Sequence, residues 1–507
     1  GQFLHKQEKG LTHLRFRSLL PCDVKTRILD RLFNGCYLAN RCTRTKSLVM
    51  LRFVLSKPNK RMLLNAFSMN CVSHHQHGLW VRDDTRQLEY TQIDPWIELA
   101  QILEKGCFDA LFLADVVGVY DNYKGGPETS IIEGMQVPAN DPAMLVSAMA
   151  HATENIGFAY TSSVYQAHPF TFARQMSTLD HLTKGRIAWN IVTSYLQNAG
   201  FNYGFGGLPE HNKRYELADE YLEVTYKLWE GSWEEGAVLA DTKRGIYADP
   251  AKIHKINHVG KHFDVAGPHL SEPSPQRTPL LFQAGSSTRG RSFAAKHAEC
   301  IFILESREML QAPGNVIEDV RNQATQLGRK PEDILFFQGI TPVVGSTESE
   351  AKAKEAEYIE QFSTEGALAH FSGSMGIDMG AMDLDQPLDS MDPKYMRGFV
   401  QSMIKSSSDQ KRTFRDLFRT RLAGQFLTGA PEQIADALQK WQELGVDGFN
   451  LVYSVTPGSF SDFIDGVIPI LQKKGLVQSE YSPGPLRQKI FGDPRLPNRH
   501  VATEYRR

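Results

Sequence analysis

The sequence predicts an α/β fold in which eight βα units close into a barrel that carries two insertions. From residue 61 onward, short β-branched or aromatic runs alternate with longer amphipathic ones, the pattern of parallel strands joined by crossover helices. Eight such strands can be read, the number that closes a (β/α)8 or TIM barrel. The competing doubly wound sheet would place G-x-G-x-x-G after its first strand; the nearest glycine cluster, Gly204 to Gly207, has the wrong spacing.

The first strand is read at 62–69 (MLLNAFSM), and an amphipathic run at 96–105 leads to the second at 110–114 (ALFLA). Helix 143–154 precedes strand 156–161 (IGFAYT), and helix 170–182 precedes strand 187–192 (IAWNIV). Helix 215–229 comes before the fifth strand, 280–283 (LLFQ), and helix 290–296 before the sixth, 300–304 (CIFIL). The seventh strand is 334–344 (ILFFQGITPVV); helices 348–362 and 431–444 follow, then strand 448–453 (GFNLVY) and helix 459–473. Two stretches exceed an ordinary βα connection and read as insertions: 231–277 before strand five and 363–421, rich in Met, Gly, Ser and Asp, before the last βα unit. Both are expected near the substrate end of the barrel. The barrel domain is set at 59–480, and 481–507 is a tail expected to pack on it.

Of 507 residues, 41% are hydrophobic and 22% charged, the composition of a globular protein rather than a disordered or fibrous one. No uninterrupted apolar run is long enough to span a membrane. The net charge of −2 argues against a nucleic-acid partner, which needs a concentrated positive face. Six cysteines make no disulfide framework, so a reducing, cytoplasmic location is expected. The leader differs in kind. Residues 1–60 carry 13 Lys+Arg against 3 Asp+Glu, together with Cys22, Cys36 and Cys42. This basic extension, 1–58, reads as translated upstream sequence or a cloning remnant outside the fold, with an organelle transit peptide as the alternative.

Barrel chemistry is built at the C-terminal ends of strands. Strand one runs into Cys71, His74 and His77, which form an active-site wall, a polar closing loop or, less well matched in ligand number, a zinc site. Strand two ends in Asp115, which is a site carboxylate or a loop cap. Strand three ends in Thr161, Ser162 and Ser163, and strand four in Thr193, Ser194 and Tyr195; such hydroxyl rows can hold a polar heterocycle without adding charge. After strand five, Ala284, Gly285, Ser286 and Ser287 open a helix, forming a seat for phosphate or an ordinary Ser cap. His211, Arg214 and Tyr215 open another helix, as a second clamp or a solvated cap.

Several of these runs resemble one family. The stretch 178–194 (TLDHLTKGRIAWNIVTS), His211 with Arg214 and Tyr215, Gln283 to Gly285 with Arg289 to Arg291, and GAPE at 429–432 are similar to bacterial-luciferase-like flavin monooxygenases, in the subgroup acting on nitrilotriacetate and dibenzothiophene sulfone. Further runs, among them NAF at 65–67, MNCV at 69–72, FDALFLADVVG at 108–118, PHL at 268–270, LAH at 368–370 and DGFNLV at 447–452, resemble members that oxidise long-chain alkanes.

The resemblance implies a luciferase-like barrel that binds FMN, received as FMNH2 from a separate NAD(P)H:flavin reductase, and uses O2 as co-substrate. It implies a homodimer and a small apolar substrate. Oxygen is activated at the flavin C4a position and one atom is transferred, giving a primary alcohol from an alkane; a sulfone or a nitrilotriacetate-like amine is the alternative substrate, and a non-catalytic flavin-binding protein the alternative class. Carried over by position, Asp115, Thr161, Ser194, Tyr195, His211, Tyr215, Ala284, Gly285, Ser286 and Ser287 contact the flavin. Cys71, His74, Tyr120, Gln136, Tyr195 and His370 surround the reacting centre, donating hydrogen bonds or shaping the cavity.

Overall fold

The computed structural model describes residues 61–387, 413, 415, 416 and 426–507. The basic extension 1–58 and most of 388–425 lie outside the described residues. The barrel is closed and wholly parallel. Its strands are β1 (Leu63–Met69), β2 (Ala110–Ala114), β3 (Gly157–Ser163), β4 (Ile187–Val192), β5 (Leu280–Gln283), β6 (Cys300–Ile303), β7 (Leu335–Val344) and β8 (Gly448–Val452). Each pairs with its neighbour in sequence, and β8 returns to β1 with Leu63 opposite Gly448.

The strands read as nearly continuous apolar runs because both of their faces are buried. Leu63, Phe67, Phe112, Phe282, Leu335 and Phe337 point inward and fill the barrel. Leu64, Leu111, Phe158, Trp189, Leu281 and Phe336 point outward into the helical layer. A short helix, Leu486–Phe491, closes the end of the barrel away from the strand C-termini: Leu486 joins the interior cluster. Beside it, Arg487 makes two hydrogen bonds to Glu299 at 2.7 and 2.8 Å and others to the carbonyls of Thr278 and Pro279.

Several boundaries differ from the sequence reading. Strand β3 continues to Ser163, so its hydroxyl row lies partly within the sheet. The run 459–473 is two helices, Gly458–Gly466 and Ile468–Lys473, parted where Pro469 cannot donate a backbone hydrogen bond. Between β6 and β7 lies a helix that the periodicity had not marked, Val316–Gln326, capped by Asn315, which accepts from the amides of Ile317 and Glu318. The C-terminal half of β7 also pairs with a short outer strand, Phe426–Gly429. Among the described residues no helix is long and apolar enough to cross a membrane.

Three helices position the site: α1 (His211–Gly231), α2 (Thr288–His297) and α3 (Thr364–Met375). The first two begin at the C-terminal ends of β4 and β5, and α3 is the described helix of the second insertion. The 231–277 insertion forms two small hairpins, Val238–Asp241 with Ile246–Ala248 and His258–Val259 with Asp264–Val265.

Candidate active site

Two groups of polar side chains meet at the strand C-termini. The first is built by β1, β2 and α3. Ser363 caps α3 by accepting from the Gly366 amide at 3.0 Å, and its own amide donates to the His77 carbonyl at 2.8 Å. Two glycines let the helix come close: a Cβ on Gly373 would lie 2.4 Å from the Tyr120 ring, and one on Gly366 would lie 3.0 Å from His77 Cβ. The helix therefore carries His370 onto the Tyr120 ring, edge to face at 5.0 Å between centroids.

Around His370 the imidazoles pack in series, with His75 at 5.4 Å and His74 at 4.2 Å from His75. Burial holds them neutral: His75 is pushed down to about 4, His77 to about 3, and His74 and His370 well below the ordinary histidine range. The Tyr120 hydroxyl touches that of Tyr195 and donates to Gln136 Oε1 at 3.2 Å, and Gln136 Nε2 donates to the His74 carbonyl at 3.0 Å. Gln136 has a φ of 51°, a conformation disfavoured for a side chain of this kind, so its placement is enforced by the fold. Cys71 is buried and its thiol is pushed up by that burial, next by the negative charge of Asp115, so it is a neutral thiol rather than a nucleophile. The structure thus brings Cys71, His74, Tyr120, Gln136, Tyr195 and His370 into one neighbourhood.

The second group lies along β2 to β5. Asp115, Ser163, Gln166, Ser194 and Tyr195 line one cleft. Gln166 donates to Asp115 at 2.9 Å, and the hydroxyls of Ser163 and Ser194 are 2.8 Å apart. Arg214, from α1, donates to the Ser194 carbonyl at 2.9 Å, where φ is 58°. At the start of α2, Ser287 Oγ accepts from the Gly290 amide at 3.1 Å and lies 3.1 Å from His211 Nε2. Ser287 is thus a helix cap, and Ser286 precedes the helix instead of opening it. The Tyr215 hydroxyl is wedged between Gly285 and Gly290, where added Cβ atoms would approach it to 2.6 and 2.8 Å. Ala284 and Ser286 are exposed at this seat. Thr161 is set apart from the cleft: it is buried inside the barrel, accepting from Asn190 Nδ2 at 2.9 Å.

The residues present fit a flavin. Two helix starts and two hydroxyls converge where a phosphate would sit, and hydroxyls and a carboxyl edge the neighbouring cleft. His74 Nδ1 is buried without a partner, the kind of unmet demand that a bound group can satisfy. Sequence reading gave no site role to Gln166 or His75, and left His77 open between an active-site wall, a polar closing loop and a zinc ligand. The HHxH run was a visible signal for the histidines, whereas Gln166 had none.

Asp115 gives a test of this electrostatics. Burial raises its carboxyl from 3.8 to about 6, against the hydrogen bond from Gln166. Folding is therefore penalised by ionising Asp115; the penalty is absent below about pH 4, grows between pH 4 and 6, and is complete above, with a ceiling of about 3 kcal/mol. Asp115→Asn keeps an acceptor for Gln166 and removes the charge. Its thermal midpoint should match the parent at pH 4 and exceed it at pH 8; equal midpoints at pH 8 would refute the assignment.

A family model described as luciferase-like monooxygenase matches residues 69–448. Long-chain alkane monooxygenase of Geobacillus thermodenitrificans (strain NG80-2) is 48% identical over 453 residues, covering 88% of this chain and 98% of that protein. Dimethyl-sulfide monooxygenase of Hyphomicrobium sulfonivorans is 47% identical over 453 residues, covering 88% and 94%. A crystal structure of DmoA from the same organism matches with a TM-score of 0.83 over 88% of this chain and 96% of that one. A riboflavin lyase crystallised with modified FMN and riboflavin is 32% identical with a TM-score of 0.77, covering 88% and 100%.

Proposed function

The chain belongs to the luciferase-like monooxygenase family and is a flavin-dependent monooxygenase, and from that premise we propose that it uses reduced FMN and O2 to place one oxygen atom in an uncharged apolar substrate, a long-chain alkane converted to its primary alcohol. The observation that carries the substrate class is the apolar lining beside the ring-edge groups: among the described residues no Lys or Arg lines the cleft, whereas Val116, Val117, Val192 and Leu196 do. A polyanionic amine would need a cation there, since a buried unpaired carboxylate is costly. At the mouth, Leu304 is 71% exposed, and its side chain lies beside Gly339, adding apolar surface where a chain-like substrate could lie.

When bound, reduced FMN would supply the two electrons that activate O2, one oxygen atom passing to the substrate and the other leaving as water. The remaining tasks fall to the protein. Ser287, His211 and Tyr215 would hold the phosphate, with the amides at the start of α2. Asp115 with Gln166, and Ser163 with Ser194, would hold the ring edge. Tyr120, Gln136, Tyr195, His74 and His370 offer neutral hydrogen-bonding groups to the reacting end, and Cys71 shapes its wall. Helix α3 buries Leu368 and Ala369 against Tyr120 and Leu196 and so screens that end from water. A separate NAD(P)H:flavin reductase delivers the reduced flavin, and the protein acts as a homodimer.

A dialkyl sulfide is the second reading, favoured by the 47% identity to dimethyl-sulfide monooxygenase. A sulfur lone pair is also an easier target for an oxygen atom than an unactivated C–H bond. Incubation with FMN, a flavin reductase, NADH and 18O2 on a mixture of hexadecane, dimethyl sulfide and dibenzothiophene sulfone separates the readings by mass spectrometry. Labelled 1-hexadecanol is expected. Label in the sulfide product instead would move the protein to the second reading, and peroxide alone with every substrate would point to a flavin-binding protein that does not oxygenate.

A further inference from the structure

His77 is 2% exposed, and its ring lies between two polar partners. Its Nδ1 is 3.4 Å from Ser73 Oγ, and its Nε2 is 3.1 Å from His370 Nδ1. The two imidazoles stand nearly perpendicular, 85° between planes and 5.1 Å between centroids, so a nitrogen lone pair of one can face an N–H in the plane of the other. The remaining neighbours hold the ring in place without competing for its nitrogens: Phe362 packs edge-on at 5.8 Å, and Gly366 leaves room at its Cβ.

The directions of these bonds follow from counting protons once the serine proton is placed. A neutral imidazole has one N–H and one lone pair. The Ser73 hydroxyl also lies 3.4 Å from the Gln76 backbone carbonyl, which can only accept and which also takes the Leu79 amide at 3.2 Å; we take the serine proton to point there, which leaves a lone pair for His77. Then His77 carries its proton on Nδ1, and its Nε2 is an acceptor. The contact to His370 is satisfied only if His370 carries its proton on Nδ1. Its Nε2 is left as a lone pair.

The geometry points to His77 as a positioning residue that fixes His370 as the Nδ1–H tautomer, so that His370 presents a proton acceptor, not a donor, to the reacting end of the site. The role at the reacting end rests on the functional reading above; the tautomer does not.

Both parts can be tested. In flavin-free protein labelled with 15N-histidine, long-range 1H–15N correlation should show His370, identified by its loss in His370→Phe, with a protonated Nδ1 and an unprotonated Nε2. His77→Phe should convert this to a tautomer mixture, and His77→Gln, whose amide oxygen can still accept from Nδ1–H, should restore it. An Nε2–H form in the parent, or no change in His77→Phe, would overturn the proposal. In the coupled assay, His77→Phe should lower the ratio of product to peroxide by ~10-fold or more, as partners that orient a working histidine do, and His77→Gln by much less. Placed on His370→Phe, His77→Phe should cost nothing further. An additive loss would mean that His77 acts by another route. If His370→Phe alone left the ratio unchanged, the functional reading of His370 would fall while the NMR result stood.

Discussion

His370→Phe is expected to bind FMN within about threefold of the parent and to lower the ratio of hydroxylated product to hydrogen peroxide by ~10²-fold or more, the scale of a lost proton-handling group. The flavin-holding residues proposed above are Asp115, Ser163, Gln166, Ser194, His211, Tyr215 and Ser287, and among the described contacts no hydrogen bond or ring contact joins any of them to His370. Its neighbours are His75, His77 and Tyr120. Phenylalanine preserves the ring-to-ring packing on Tyr120, so α3 should stay docked through Gly366 and Gly373. What is lost is a neutral imidazole nitrogen in a place shielded from water, where a hydrogen bond is worth more than in solvent. Product and peroxide must be measured together, because oxygen consumption alone would count both. An unchanged ratio would place His370 outside the reacting centre and with it the reading of α3 as its cover.

The double change Ser286→Asp and Ser287→Asp should weaken FMN by roughly 10²-fold while leaving riboflavin within about threefold, since two charges a few ångströms apart near a protein surface repel by ~3–4 kcal/mol. The structure makes this a clean test. Ser287 caps α2 through its side-chain oxygen, and aspartate caps a helix equally well. Helix stability is thus retained while negative charge is placed where the phosphate would sit. Arg289 pairs with Asp219, and Arg291 pairs with Asp319 while its Nε donates to the Ser286 carbonyl at 3.0 Å, so the charge added at 286 is partly offset and the one at 287 carries most of the effect. Equal weakening of both ligands in a fluorescence titration would locate the phosphate elsewhere.

How much of this was legible beforehand follows from the range over which each signal acts. All eight barrel strands were visible because a parallel barrel buries both strand faces, and that demand writes an apolar run into a few consecutive residues. The cap at Ser287 was visible for the same reason: its partner, Gly290, is three residues away. The missed helix, Val316–Gln326, carries a weaker mark, with Val316, Ile317, Val320 and Ala324 buried among charged neighbours. Beyond such windows the sequence by itself determined residue types and little of their partners. That Gln166 reaches Asp115 across 51 residues, or that His77 meets His370 across 293, depends on how the barrel closes and how α3 docks on it. Likewise Thr161 and Ser163 stand two positions apart on one strand, yet only Ser163 lines the cleft, because the height of each strand in the barrel decides which layer is packed core and which is rim. Periodicity records that a side chain is buried. Which group it is buried against is decided only when distant segments are brought together, since hydrogen bonding and desolvation act over a few ångströms of space and not along the chain.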